Sequence, residues 1–207
     1  IDRSKGVVTW RYKTWGPVRS SPTGSGDHVL FGSDDGYLYN VHRDTGNLVW
    51  RYHIGAAVMS SPAVSGRHVV VGASDGGIRG FSLADGKNLW THQARKTIIA
   101  SPVIADGVSY TGSADGHMYA LDIETGKEVW KKAVCRQITC SAVIDGVNLM
   151  VGGNDAVFYC LSRKSGDVLW TFGTGGAVVA KPLITDDHIV IGSLDSTVYA
   201  LNREQGA

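Results

Sequence analysis

The chain carries a tryptophan every forty residues. Trp10, Trp50, Trp90, Trp130 and Trp170 are evenly spaced, and only Trp15 stands outside the series. The residues leading to four of them align: NVHRDTGNLVW ends at Trp50, GFSLADGKNLW at Trp90, ALDIETGKEVW at Trp130 and CLSRKSGDVLW at Trp170. IDRSKGVVTW leads to Trp10, and ALNREQGA opens a further copy after residue 199. A fixed period of this length marks a solenoid, propeller or array, because each repeat is one supersecondary unit that buries its apolar face only against a neighbour.

Stacking the chain on this period aligns several columns. An apolar column (Val18, Val58, Ile98, Ile138, Val178) precedes a small-residue and proline column (Ser21-Pro22, Ser61-Pro62, Ser101-Pro102, Ser141-Ala142, Lys181-Pro182). Next comes a β-branched and aromatic run ending in glycine: HVLFG at 28–32, HVVVG at 68–72, VSYTG at 108–112, NLMVG at 148–152 and HIVIG at 188–192. Aspartate turns follow at Asp35, Asp75, Asp115, Asp155 and Asp195, and then a second run, a Thr-Gly-like turn and the tryptophan segment. Short apolar runs bounded by Gly and Asp-Gly turns read as hairpin strands. The apolar column before the proline is read as the first strand of each repeat. No stretch keeps the three-and-four spacing of an amphipathic helix.

Four strands in about forty residues is the blade of a β-propeller. The fold class is therefore all-β: a five-bladed propeller of four-stranded antiparallel blades in one domain over 1–207. The blades fall at about 14–52, 53–92, 93–132, 133–172, and 173–202 plus 6–12. The last assignment joins two fragments, since the Trp10 segment lacks three preceding strands and the strands over 177–202 lack a tryptophan strand. Leu201 shares the repeat position of Ile1. The N-terminal strand is expected to complete the last blade and close the ring, which removes exposed sheet edges. The alternative is a fragment of a seven- or eight-bladed ring.

Composition excludes several classes. A formal net charge of +1 gives no field that favours nucleic acid or an anionic membrane. No apolar run approaches the roughly 18 residues of a transmembrane helix. With neither an initiator Met nor a signal peptide, the sequence reads as a mature region or part of a larger polypeptide. Cys135, Cys140 and Cys160 have no metal-type spacing, and an odd count leaves at least one thiol unpaired within a monomer.

The pattern Ala-x-Asp-x-x-Thr-Gly-x-x-x-Trp, complete at Ala120, Asp122, Thr125, Gly126 and Trp130, resembles the tryptophan-docking motif of quinoprotein-type (PQQ-like) β-propeller repeats. The resemblance extends along the whole chain. It implies that each of Trp10, Trp50, Trp90, Trp130 and Trp170 packs on the next blade, held by the acid and the Thr-Gly turn. Ser82 and Ser162 replace the acid, and Asp85 and Ser165 the threonine, so those blades are expected to dock more loosely. The family includes dehydrogenases that hold pyrroloquinoline quinone and calcium. It also includes cofactor-free propellers, among them a lipoprotein of the outer-membrane barrel-assembly machine and sensor domains of bacterial kinases.

The cofactor-free branch fits better. The adjacent cysteines found in many of the dehydrogenases are missing here, and no carboxylate–amide set stands out from the repeats as a calcium site. The five turn aspartates occur once per blade, as turn-stabilising acceptors do. His28, His68 and His188 occupy one column in three blades, so they lie apart around the ring, and no histidine has zinc spacing. There is no nucleophile elbow or phosphate loop. The expectation is a chain that is not an enzyme and has no cofactor, catalytic residue or metal ligand.

Function is expected where repeats differ. The loops entering each blade read KTWGP (13–17), HIGAA (53–57), QARKT (93–97), AVCRQ (133–137) and GTGGA (173–177). Trp15, Arg95, Lys96 and Arg136 lie in them; Lys181 breaks the serine column, and Arg19 an apolar or small one. These six define a candidate binding rim for a protein or peptide partner, or a small anionic ligand, on the loop face. The bland reading is that long polar side chains simply cover the loops and neutralise nearby aspartates. Cys140 and Cys160 fall in small-residue columns and read as core thiols. The function expected is a ligand- or protein-binding propeller, a sensor domain or assembly scaffold, in an extracytoplasmic (periplasmic or cell-surface) location. The alternatives are a quinone-dependent dehydrogenase or a fragment of one, and a lectin-like carbohydrate binder.

Overall fold

The computed structural model describes residues 6–203. Blade one holds β1 (Thr23–Ser25), β2 (His28–Gly32), β3 (Tyr37–His42) and β4 (Leu48–His53). Blade two holds β5 (Ala63–Ser65), β6 (His68–Gly72), β7 (Gly77–Ser82) and β8 (Asn88–Gln93). Blade three holds β9 (Val103–Ala105), β10 (Val108–Gly112), β11 (His117–Asp122) and β12 (Glu128–Ala133). Blade four holds β13 (Val143–Asp145), β14 (Asn148–Gly152), β15 (Val157–Ser162) and β16 (Val168–Gly173). Blade five holds β17 (Leu183–Ile184), β18 (His188–Gly192) and β19 (Val198–Asn202). Each sheet is an antiparallel meander in chain order.

The first strand of each blade lies after the proline, not before it as the apolar column suggested. Residues 18–22 pair with no strand among the described residues. Side chains take the place of a ladder there: Ser20 Oγ accepts from the Gly32 N–H at 2.8 Å and donates to the Gly32 carbonyl at 2.9 Å. Ser60 does the same to Gly72. A hydroxyl that satisfies both groups of a neighbouring residue lets the backbone leave the sheet without orphaned donors. The freed backbone then reaches across blades. The N–H of Ser21 donates to Ser61 Oγ, Ser61 to Ser101, and Ser101 to Ser141, at 2.8–2.9 Å.

The apolar column fills the space between blades instead. Val58, Ile98, Ile138 and Val178 are fully buried. One face of blade one (Leu30, Leu38) packs through Val58 onto the facing side of blade two (Val69, Val71, Phe81). We call the first the trailing face and the second the leading face; the arrangement recurs at each later step.

A β-bulge in each of the pairs β3–β4, β7–β8, β11–β12 and β15–β16 sets the tryptophan opposite Asn40, Gly80, Ala120 or Cys160. The indole of Trp90 covers Gly80 so closely that a Cβ there would sit 2.2 Å from the ring. Its N–H then donates to the Ile123 carbonyl of the next blade at 2.8 Å. Trp50 donates to Leu83 at 2.8 Å and Trp130 to Arg163 at 3.0 Å. All three are 8% exposed, so the replacement of Asp and Thr by Ser82, Asp85, Ser162 and Ser165 does not loosen the contact. The indole meets a backbone carbonyl and a turn glycine, and neither depends on those side chains.

Trp10 makes the same contact on blade one, donating to the Arg43 carbonyl at 2.7 Å and lying over Gly46. Tyr12 stands edge-on to Phe31 and Tyr39. Ring closure is not shown: among the described residues β19 pairs only with β18, and residues 6–12 form no strand. Ile1, used in the sequence argument for closure, lies outside the described residues. Val18 is 45% exposed although its four counterparts are fully buried.

Candidate functional site

The entering loops and the aspartate turns share one face, and in blades one, three and five the aspartate side chain ties the two together. Asp35 accepts from the N–H of Trp15 at 3.0 Å, from the N–H of Tyr37 at 3.0 Å and from the Tyr39 hydroxyl at 2.8 Å. Asp115 takes the same bonds from Arg95, His117 and Tyr119, and Asp195 from Gly175, Thr197 and Tyr199. Asp155 accepts from Tyr159. In blade two Arg79 replaces the tyrosine and pairs with Asp75. The tyrosine column at four residues past each aspartate was in the sequence and was missed, because tyrosine in a strand ordinarily reads as packing.

These bonds set the electrostatics. Burial pushes the Asp35 and Asp115 carboxyls up, but the bonds from tyrosine and backbone donors outweigh it and hold both below the usual range. In Asp75 the Arg79 guanidinium is the leading cause of the same lowering. Against the pull of burial, Tyr199, Gly175, Ser193 and Thr197 bring Asp195 down to about 2. The matching hydroxyls of Tyr39, Tyr119 and Tyr159 are pushed up, first by burial and then by the carboxylate each one faces. The aspartates are thus acceptors in a staple. Among the described residues no group of three His, Cys, Asp or Glu side chains could hold a metal ion.

The six residues of the expected rim are distributed, not gathered. Trp15 is 69% exposed and stands at the start of blade one. The Arg51 guanidinium lies 4.6 Å from the centre of its ring and 5.4 Å from that of Tyr37, and Tyr37 in turn rests 4.6 Å from the His53 ring. Arg51 and Tyr37 were not foreseen; β3 and β4 bring them beside Trp15 through sheet pairing. Arg19 is held by Asp34 at 2.6 Å. Arg95 and Lys96 are exposed two blade steps on and Arg136 three, without ion pairs among the described residues. Lys181 stands apart from them, lining a central cavity of about 320 Å³ with Ser21, Ser61, Ser101 and Ser141.

All three thiols are free. Burial pushes Cys140 and Cys160 up to about 11 and raises Cys135 as well. His28 accepts from the Asn40 amide at 2.9 Å, within its own blade.

Antiparallel four-stranded meanders, a tryptophan that bonds the following blade and one aspartate staple per turn define a β-propeller of PQQ-like repeats. The family model for outer membrane protein assembly factor BamB matches residues 1–141 and 135–207, and the chain belongs to that family. The crystal structure of BamB from Moraxella catarrhalis superposes on 97% of the chain with a TM-score of 0.86 at 20% identity. The computationally designed Ika8 protein matches 87% of it with a TM-score of 0.77 at 22% identity. The designed Ika4 protein matches 71% with a TM-score of 0.64 at 23% identity, and the match covers 91% of Ika4. The chain spans 66% of the Moraxella protein and 57% of Ika8. No curated protein sequence matches it.

Proposed function

We propose that the chain is a non-catalytic, protein-binding propeller that works outside the cytoplasm as an assembly scaffold, and that it meets its partner with the loop face. The observation that carries this reading is the exposed stack of Trp15 on Arg51 and Tyr37, in the one loop series where the repeats disagree. A half-solvated Trp–Arg pair is the composition of a binding hot spot: it offers a large apolar area at low entropic cost and planar donors for a carboxylate. Arg95, Lys96 and Arg136 extend the same face with unpaired positive charge, which selects an acidic partner surface and speeds encounter. Membership of the BamB family, whose name describes outer membrane protein assembly, supports a scaffold over a sensor and an extracytoplasmic setting.

A photo-crosslinking residue placed at position 15, 95 or 136 tests the proposal in cells, with position 129 on the outer strand as the control. The loop positions are expected to capture a discrete protein. Reversal of Arg95, Lys96 and Arg136 to Glu is expected to abolish capture from position 15 while the melting temperature stays put. Capture that is equal at position 129, or indifferent to charge reversal, contradicts the rim.

A further inference from the structure

We propose that the cavity between blades two and three, on the face opposite the entering loops, binds a small zwitterion of the amino-acid class. The cavity has a volume of about 440 Å³, and Arg67, His68, Leu89 and Glu124 are among the residues that line it. That volume is within the range of small-molecule pockets. Arg67 lies in the turn between β5 and β6, and Glu124 in the turn between β11 and β12. In an antiparallel meander these turns lie at the opposite end of the blades from the aspartate turns. The site is therefore separate from the loop face and is built wholly from blades two and three.

The most deeply buried of the lining residues is a histidine without a hydrogen bond. His68 shares the trailing face of blade two with Val70, by the alternation of a strand, and is 7% exposed. Its ring makes no hydrogen bond among the described residues. In blade one the counterpart His28 is satisfied by the Asn40 amide at 2.9 Å. Gly80 stands at that position in blade two, under the Trp90 ring, and offers no side chain. Asp122 interacts with His68 through charge alone, its Oδ1 being held by the N–H groups of Glu124 and Thr125 and by the Thr125 hydroxyl. A neutral imidazole carries one donor and one acceptor, and leaving them unpaired under burial is unfavourable. His68 thus offers both to whatever fills the cavity.

The exposed part of the lining carries both signs of charge, unpaired. The arginines that follow the third strand of other blades are neutralised on this face: Arg43 by Asp27, Arg163 by Asp106 and Arg203 by Asp145. In blade two that position is Leu83, and the guanidinium comes instead from Arg67. Neither Arg67 nor Glu124 has an ion pair among the described residues. Opposite charges that line one cavity without meeting suit a ligand that carries both: a carboxylate for the planar Arg67 fork and an ammonium for Glu124. Leu89, 42% exposed, supplies an apolar wall for the ligand's side chain. A ligand seated there also spans the junction that Trp90 closes by its bond to the Ile123 carbonyl.

Calorimetric and thermal-shift titration of the 207-residue chain tests this. The probes are each standard free amino acid, its N-acetyl form and its amide, with glucose as a neutral control. At least one free amino acid is expected to bind at a single site and to raise the melting temperature. Its N-acetyl form and its amide each lack one charge, and are expected to bind at least about tenfold more weakly. Arg67→Gln and Glu124→Gln are each expected to weaken the free amino acid by at least about tenfold. Both side chains are exposed, so the ligand-free melting curve is expected to stay put. Arg95→Gln on the loop face is expected to leave the titration unchanged, which separates this site from the protein-binding rim. No binding by any free amino acid up to about 10 mM overturns the proposal. So does binding that the blocked forms or glucose match, or that both cavity variants leave intact.

Discussion

The indole N–H of Trp90 donates to the backbone carbonyl of Ile123, thirty-three residues on and one blade further round, at 2.8 Å. The ring also presses on Gly126, whose φ of +69° and lack of a Cβ make room for it; a Cβ would lie 2.5 Å from the ring. One side chain thus joins two sheets by a hydrogen bond and by apolar area. Trp90→Phe keeps most of the area and leaves the carbonyl unpaired, a loss of about 1–2 kcal/mol. Gly126→Ala meets both the strained φ and the ring, and is expected to cost more than Trp90→Phe. Urea unfolding checks both, and a Gly126→Ala variant as stable as the parent would contradict the contact.

Two buried hydroxyls sit in the same kind of interface with no partner. Ser109 and Thr111 are 0% and 1% exposed, and neither oxygen makes a hydrogen bond among the described residues. Their columns are apolar in the other blades (Val29, Val69, Leu149, Ile189; Phe31, Val71, Val151, Ile191). Thr111→Val conserves shape and removes an unpaired polar group, so a gain of about 1 kcal/mol is expected. Ser109→Ala is expected to act in the same direction. Thermal unfolding reads the result, and a lowered melting temperature would show that these hydroxyls have a partner.

Acid should release the blade staples. The carboxyls of Asp35, Asp75, Asp115 and Asp195 lie below their usual range when folded, with Asp195 at about 2. A carboxyl depressed by folding contributes stability that is complete above its unfolded pKa, about 3.9, and is lost as pH falls through the folded value. Stability should therefore fall between about pH 4 and pH 2. Asp115→Asn should flatten that fall and lower stability at neutral pH. A parent whose unfolding free energy is constant across that window would contradict the staple.

The thiols give an independent probe of the core. Cys140 and Cys160 are fully buried and pushed up to about 11, so both stay protonated near neutral pH. A thiolate-specific reagent is expected to label neither until the chain unfolds. Rapid labelling of either in the native protein would place it at a surface.

The repeat and the tryptophan column were legible because each recurs five times in a sequence of one period, and the four-strand count because four blades repeat it. The first strand was misplaced because Val58 and its equivalents look like a strand but are buried between sheets, while the serine beside them replaces a ladder. Ring closure, expected from the residue arithmetic, is consistent with the five sheets but is not shown by the strands of the described residues. It depends on the pitch of each step, set by how side chains such as Val58 wedge between two sheets, and no spacing encodes an angle. At the candidate site, Trp15 was legible as the one tryptophan out of register. Its partner Arg51 was not, since β4 brings it there from thirty-six positions away.

The tryptophans fall into two kinds, and melting temperature separates them most directly. Trp130 is 8% exposed and bonded to the Arg163 carbonyl, whereas Trp15 is 69% exposed and stacked only on neighbouring side chains. Trp130→Ala is expected to lower the melting temperature by about 10 °C, as a loss of about 3–5 kcal/mol does in a chain of this size. Trp15→Ala is expected to move it by no more than about 2 °C. Equal shifts, or a larger one for Trp15, would contradict the assignment of Trp130 to the framework and Trp15 to the working surface.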